Sequence, residues 1–469
     1  MAEPVIHEMS EREKELAYKP LLPLFFKQFI PAAVAMVVQS IYTIVDRIFI
    51  GNIPGYGQIA IGGVGVVMPL IFFYFAIGAL FGIGGSANIS LALGRRDRRH
   101  AERVLGNVFT LMLITTTAIN ILFLLFSRDI LTLFGASETN IGYADTYFRI
   151  LVVGTWWNML SFAFNQVIRA EGNARRAMNS MLIGAFTNFI LDPLFIFGLN
   201  MGVAGAAYAT IIAQFLSFAY GASYFLLRKS EVPLHKDSLR PNWEIIKHIV
   251  AIGFTPFFIQ AAGSLIGLVM NNSLRHYGGD LAMSAHTIMG TLTSFTIMPI
   301  IAMNQALQPI VGFNYGARNF KRVRGANIIG VAGATLFLTV IWLLAMWIPR
   351  QMASVMAKSG DLIDLGALAI RTAYYFIPLY GVQIISANFF TAIGRAKTSF
   401  WISTSRQFTV QLPLLYFLPR SFGLVGIWWA ISVADLLAFG IAIAFVIKEY
   451  RHMKAEERRD LALASSVES

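Results

Sequence analysis

The chain of 469 residues is 56% hydrophobic and only 13% charged, with a mean hydropathy of +0.63. Soluble domains carry about 25% charged residues, so composition excludes a water-soluble chain of this size and makes a lipid bilayer its solvent. The formal net charge of +12 would suit nucleic acid. Here, however, the basic residues lie in short segments between apolar runs, as topology charge does, and no nucleic-acid partner is expected.

The first twenty residues mix acids and bases without an apolar core, so no cleavable leader is expected. Twelve apolar spans follow, at approximately 22–50, 60–91, 104–126, 141–168, 177–198, 203–227, 244–274, 282–311, 325–348, 366–390, 398–418 and 423–447. About 20 apolar residues cross the hydrocarbon core as a helix. These runs are continuously apolar, as Val104 to Phe126 illustrates, whereas membrane strands alternate. The expected fold is therefore an all-α polytopic membrane protein. The even-numbered loops hold 19 Lys and Arg when Lys247 at the start of span seven is included, Arg95, Arg96, Arg98, Arg99 and Arg103 among them, and the odd-numbered loops hold 5. Such an excess marks the cytoplasmic side, which puts both termini inside.

The sequence repeats at an offset of about 220 residues. Leu93-Gly94-Arg95-Arg96-Asp97 is answered by Tyr315-Gly316-Ala317-Arg318-Asn319, and Ala170-Glu171-Gly172 by Ala392-Ile393-Gly394. Gly202-Val-Ala-Gly205 is answered by Gly423-Leu-Val-Gly426, Asp192-Pro193-Leu194 by Leu412-Pro413-Leu414, and Pro31 by Pro256. The expected organisation is a cytoplasmic segment 1–20, a six-helix lobe 21–228, a linker loop 229–243, a second six-helix lobe 244–447 and a cytoplasmic tail 448–469. Six is even, so both lobes enter from one side as a parallel repeat. Two such lobes facing a central cavity suit alternating access.

Charged groups in hydrocarbon are costly and point to function. Asp46, Asp192 and Asp435 qualify. Gln39, Tyr42 and Asp46 share a helix face in span one, as do Asn188 and Asp192 in span five. Thr210 and Gln214 repeat the pattern in span six, and Asn158 and Asn165 lie seven apart in span four. One polar stripe usually glues helices together. Four of them, two bearing acids, favour a buried ion or proton site. The second half lacks the cluster, with Asn271 and Leu412 standing opposite Asp46 and Asp192. Asp435 reads equally as a substrate-facing acid or a structural partner. Gln305, beside Gln308 and Pro309, is a cavity candidate.

Other signals exclude chemistry. There is no cysteine and no HExxH spacing among the seven histidines, so no cofactor or metal-dependent enzyme is expected. Gly82-Ile-Gly84-Gly85-Ser86-Ala87 fits a dinucleotide fingerprint, but it sits inside an apolar span with no preceding strand. It reads as a close-packing surface of small residues.

Gln39-Ser-Ile-Tyr42-Thr-Ile-Val-Asp46, Arg169-Ala-Glu171-Gly172-Asn173, Asn188-Phe-Ile-Leu-Asp192-Pro193-Leu-Phe-Ile and Gly202-Val-Ala-Gly205-Ala-Ala-Tyr-Ala-Thr210 together resemble the multidrug and toxic compound extrusion (MATE) family, in particular a MepA-like branch. The resemblance runs from about residue 20 to 450. It implies two pseudo-symmetric six-helix bundles forming a V-shaped central cavity in the cytoplasmic (inner) membrane. It further implies export of cationic drugs and dyes, by a monomer, in exchange for H⁺ or Na⁺. The family's N-lobe cation site maps here onto Tyr42, Asp46, Asn188, Asp192 and Thr210, with Asn165 as the fourth-helix partner; a Na⁺ would sit at Asp46, Asp192, Asn188 and Thr210. A lipid-precursor flippase is the alternative. It would want Arg or Lys in its cavity helices, whereas the intramembrane ionisable groups read here are acids.

Overall fold

A computed structural model describes residues 9–467; the outermost residues of the two end segments, 1–8 and 468–469, lie outside the described residues. Among the described residues every regular element is helical. The chain divides into two compact units, one made of residues 1–20 and 26–260, the other of residues 21–25 and 261–469.

In the first unit a short helix, α1 (Glu11–Tyr18), precedes α2 (Leu21–Gly51), α3 (Gly57–Gly94) and α4 (Arg98–Leu125). The short α5 (Ser127–Leu133) leads to α6 (Ile141–Ala170), α7 (Ala174–Pro193) and α8 (Gly202–Leu226). Pro193 ends α7 and is followed by a π-type turn, Leu194–Gly198. The next helix, α9 (Trp243–Gly316), is continuous except at Gly279, where φ is +61°. The first stretch of α9 packs on α3 so closely that a Cβ on Gly84 would lie 2.1 Å from the Ile249 carbonyl oxygen, and one on Gly253 would lie 1.7 Å from that of Leu80. The small-residue run of α3 is thus a packing surface, as its place in an apolar span suggests.

The second unit continues with α10 (Phe320–Trp347), the short α11 (Pro349–Ser354), and α12 (Gly360–Ala373) joined to α13 (Ile377–Ala392) by a 54° bend. Then come α14 (Ala396–Thr404), a π-type turn over Ser405–Gln411, and α15 (Leu412–Val467), broken at Gly423 with φ +58°. Eight of these helices are long and apolar enough to cross a membrane. Two of the eight contain a break that makes them two spans each; the bent pair adds another. The more polar α6, with Asp145, Arg149 and Arg169, completes twelve.

Backbone geometry reproduces the sequence repeat. Arg96 and Arg318 have φ of +60° and +57°, Gly172 and Gly394 +78° and +76°, and Gly202 and Gly423 +54° and +58°. Asp97 caps α4 by accepting from the His100 N–H, and Asn319 caps α10 by accepting from the Arg322 N–H. Matched motifs therefore perform matched turns.

Each unit also carries a helix packed across the basic-loop end of its bundle. In the first it is α1, which opens on a capping box between Ser10 and Glu13. Arg12 donates to the Tyr224 hydroxyl and to the Lys229 carbonyl (3.1 Å), and Arg98 reaches Glu13 at 3.0 Å. Beneath α1, Glu171 is 1% exposed. It accepts from the hydroxyls of Tyr224 and Ser230, both at 2.5 Å, and from the Glu231 N–H at 3.1 Å. Burial pushes its carboxyl up to about 7, against the opposing pull of these donors and of Arg12. In the second unit α15 continues about 20 residues beyond the expected span. Glu456 and Asp460 pair with Arg318, and Glu457 with Arg324.

Candidate functional site

Three membrane helices of the first unit, α2, α7 and α8, bring polar residues together. Asp46 on α2 is 7% exposed, and Asn188 and Asp192 on α7 are 1% and 0% exposed. The carboxyls of Asp46 and Asp192 lie within hydrogen-bonding reach of one another. Asn188 Nδ2 donates to Asp192 Oδ1 at 3.1 Å and lies 3.3 Å from Thr210 Oγ1 on α8, whose hydroxyl also meets that of Tyr42 on α2. Helical spacing explains the local placement. Asn188 and Asp192 are one turn apart and stack on a single face, and Tyr42 stands one turn before Asp46.

Asp46 Oδ1, Asp192 Oδ2 and Asn188 Oδ1 are buried without a hydrogen-bond donor. A buried acceptor with no donor costs about 1–3 kcal/mol, more when charged. Three such oxygens in one cluster are the acceptor set that a proton or a hard cation would satisfy. Pro193, directly after Asp192, has no N–H, so the Phe189 carbonyl loses its helical donor. The chemistry fits an alkali cation or a proton better than a transition metal: among the described residues no group of three His, Cys, Asp or Glu side chains could hold a metal ion.

Of the expected site residues, Tyr42, Asp46, Asn188, Asp192 and Thr210 come together. Asn165 on α6 makes a different connection, its Nδ2 lying 3.4 Å from Ser161 Oγ. That hydroxyl meets Ser217 (2.9 Å), which in turn meets Ser180 (3.0 Å). Ser217 is seven residues beyond Thr210, so this serine network lies about 10 Å along the helix from the acids. Gln39 is exposed, and Asn158 and Gln214 are half-buried, outside the hydrogen bonds of the acid cluster. Tyr147 on α6, 3% exposed and within electrostatic range of both acids and Tyr42, is a neighbour that the sequence reading passed over. Its signal was its place on the heptad Tyr147, Gly154, Ser161.

In the second unit, Gln305 is half-buried with Oε1 unpartnered. Asp435 on α15 is 2% exposed and accepts from Arg406 Nε at 2.6 Å. The guanidinium carbon of Arg406 stands 4.3 Å from the centre of the Tyr380 ring on α13. The expectation of only acids within the membrane is thereby corrected: span eleven, at 398–418, encloses Arg406 eight residues from its start.

The fold is shared with known proteins. The MatE family model matches residues 31–194 and again 256–417. The multidrug export protein MepA of Staphylococcus aureus (strain MSSA476) is 24% identical over 444 residues, covering 93% of this chain and 96% of that protein. MepA of Staphylococcus haemolyticus (strain JCSC1435) is 24% identical over 432 residues, covering 92% and 94%. Among solved structures, the outward-facing conformation of a multidrug resistance MATE family transporter of the MOP superfamily superposes with a TM-score of 0.88 at 25% identity, over 96% of this chain and 100% of that one. A MATE crystal structure in the bent conformation gives 0.89 at 26%, over 96% and 99%. With twelve membrane spans in two repeated halves, and a family match in each half that together covers more than half of the sequence, this chain belongs to the MatE family of multi-span membrane transporters.

Proposed function

We propose that the protein is a secondary active exporter of amphipathic, mostly cationic organic compounds, driven by inward movement of H⁺ or Na⁺, with Asp46 and Asp192 as the coupling carboxylates. The observation that carries this reading is the acid pair, with its buried, donor-less oxygens, on two helices that each contain a proline. Asn188, Thr210 and Tyr42 complete the ion's surroundings. The MepA relatives are named as multidrug export proteins, which supports organic compounds as cargo. The acid-bearing first unit supports a cationic preference. The protein would work in the cytoplasmic membrane with both termini inside, as the loop charge suggests.

Purified protein in proteoliposomes, loaded with a fluorescent lipophilic cation and given separate H⁺ and Na⁺ gradients, tests the proposal. Dye movement accelerated by one gradient and collapsed by its dissipation is expected. Dye movement indifferent to both gradients would overturn the coupling. A flippase for anionic lipid precursors would need net positive charge to match a pyrophosphate; Arg406 with Asp435 sums to zero, enough for one carboxylate on a substrate that also carries a cation, which favours the exporter.

A further inference from the structure

Arg406 lies ten residues into its span from Ala396, and Asp435 eleven residues from Leu424, so each sits about 15 Å along its helix, near the middle of the bilayer. A mid-membrane Arg is costly even on lenient insertion scales, so its retention calls for an explanation. The Asp435 ion pair supplies half of one. It uses only Nε, and the ring of Tyr380 covers one face of the guanidinium. Among the described residues the two terminal nitrogens have no hydrogen-bond partner, and the side chain is 16% exposed. Their four N–H groups cannot open onto hydrocarbon, so they face water or a ligand. The backbone supports such a role. Arg406 sits in the π-type turn Ser405–Gln411, a local widening of the helix that interrupts its regular hydrogen bonding and re-aims the side chains it carries.

We propose that Arg406 is a recognition site for the carboxylate of organic substrates that carry an acidic group beside their cationic centre. The inference deepens the exporter reading and rests on it. With Asp435 held on Nε and Tyr380 on one face, the free edge of the guanidinium presents two parallel N–H donors, the fork that a carboxylate accepts bidentately. Asp435 neutralises the Arg when no substrate is bound, so the cation is not left alone in the membrane. It also fixes the plane of the fork. The donor-less acids of the first unit cannot bind an acid group; the second unit supplies the complementary charge on its own helices.

The test pairs an aromatic amine that bears a free carboxylate with its methyl ester, which has the same shape and cationic centre without the acid. Binding of both to the full-length protein in lipid nanodiscs is measured for wild type, for Arg406→Lys, and for the double variant Arg406→Gln with Asp435→Asn. The double variant keeps a neutral hydrogen-bonded pair and leaves no orphaned buried charge. Affinity for the acid should fall about tenfold or more in the double variant and by a smaller factor in Arg406→Lys, while affinity for the ester stays within about twofold. Equal losses for acid and ester would make the pair merely structural and overturn the proposal, as would no loss for either. Should the double variant fail to fold, the comparison rests on Arg406→Lys, whose charge still pairs with Asp435. Wild type that binds the ester but not the acid refutes this site and leaves the exporter reading standing. Wild type that binds neither refutes the exporter reading, and the site with it.

Discussion

Replacing Asp192 by Asn changes one oxygen to an NH₂ group and leaves the surrounding fold its partners. Asn188 can still donate to the remaining oxygen at 3.1 Å, and the new amide can donate to Asp46. What disappears is charge. Two carboxylates with charge centres about 4 Å apart repel by about 4 kcal/mol at the effective dielectric of 20 appropriate to protein sites. A proton or cation entering between Asp46 and Asp192 relieves that energy. Applied to a two-state helix, 4 kcal/mol moves a population from about 1:99 to about 9:1, enough to commit the first unit to one conformation. With one acid left there is no repulsion to relieve, and ion entry loses its leverage. Asp192→Asn and Asp46→Asn should therefore each lower gradient-driven dye export in proteoliposomes by at least about 100-fold. Gradient-free counterflow of the same dye should stay within several-fold of wild type, and the elution profile should be unchanged. Gradient-driven export at wild-type rates in both variants would refute the reasoning. So would loss of counterflow in parallel, since the acids would then be needed for transport itself rather than for its coupling.

Binding of a lipophilic cation should weaken as pH falls and the site's carboxylates take up protons, and an anionic dye of similar size with no cationic centre should bind more weakly throughout; equal affinity for the two dyes would count against a cation-selective site. Spin labels on the outer end of α2 and on α7 should report different distances at low and high pH, or with and without Na⁺, in wild type but not in Asp46→Asn. Pro31 and Pro193 weaken those two helices at the positions where bending would occur, and one unchanged distance distribution across all conditions would exclude it. At the basic-loop end, Glu171 is held at about 7 against 4.5 for a free glutamate, so the native state binds the extra proton between those values and stability falls as pH rises through that window, by roughly 3 kcal/mol at most. Thermal unfolding should accordingly find Glu171→Gln more stable than wild type at pH 8 and close to it at pH 5, and identical pH slopes for the two proteins would show that Glu171 does not titrate there.

Charge-free runs made the membrane spans legible, because hydrocarbon tolerates little else and the length of a span is set by the bilayer. The repeat was legible for a different reason: turns need particular residues, and Arg96 and Arg318, or Gly202 and Gly423, recur where the backbone repeats a positive φ. Within one helix the site could also be read, since Asn188 and Asp192 must share a face. Contact between Asp46 and Asp192 could not be read that way. Periodicity orders residues along a helix and says nothing about which helix faces which, so the four stripes point to a buried ion site while the family resemblance supplies its membership, including Asn165, whose Nδ2 meets Ser161. The α15 extension had a signal that went unused: Glu449, Glu456, Glu457 and Asp460 fall at i, i+7, i+8 and i+11, one face of a helix that meets Arg395, Arg318 and Arg324.

Arg406 is the instructive miss. A topology argument counts Arg and Lys in loops, because that is where most of them belong, and it passes over those inside spans, Arg406 among them. The cost of burying a guanidinium works in the opposite direction as evidence: the less a membrane tolerates a group, the more its presence there needs a cause. Asp435 alone was ambiguous between a substrate-facing acid and a structural partner. Set beside Arg406 at 2.6 Å, with two terminal nitrogens still open, it reads as the group that positions a fork rather than as a second proton carrier. On these proposals the two units, built on one repeat, divide the work by charge. The first keeps two acids side by side, with Arg47 as the nearest basic neighbour and no arginine on their free oxygens, so that an ion can act on them. The second offsets its acid with an arginine and so keeps a place for a substrate's acid group.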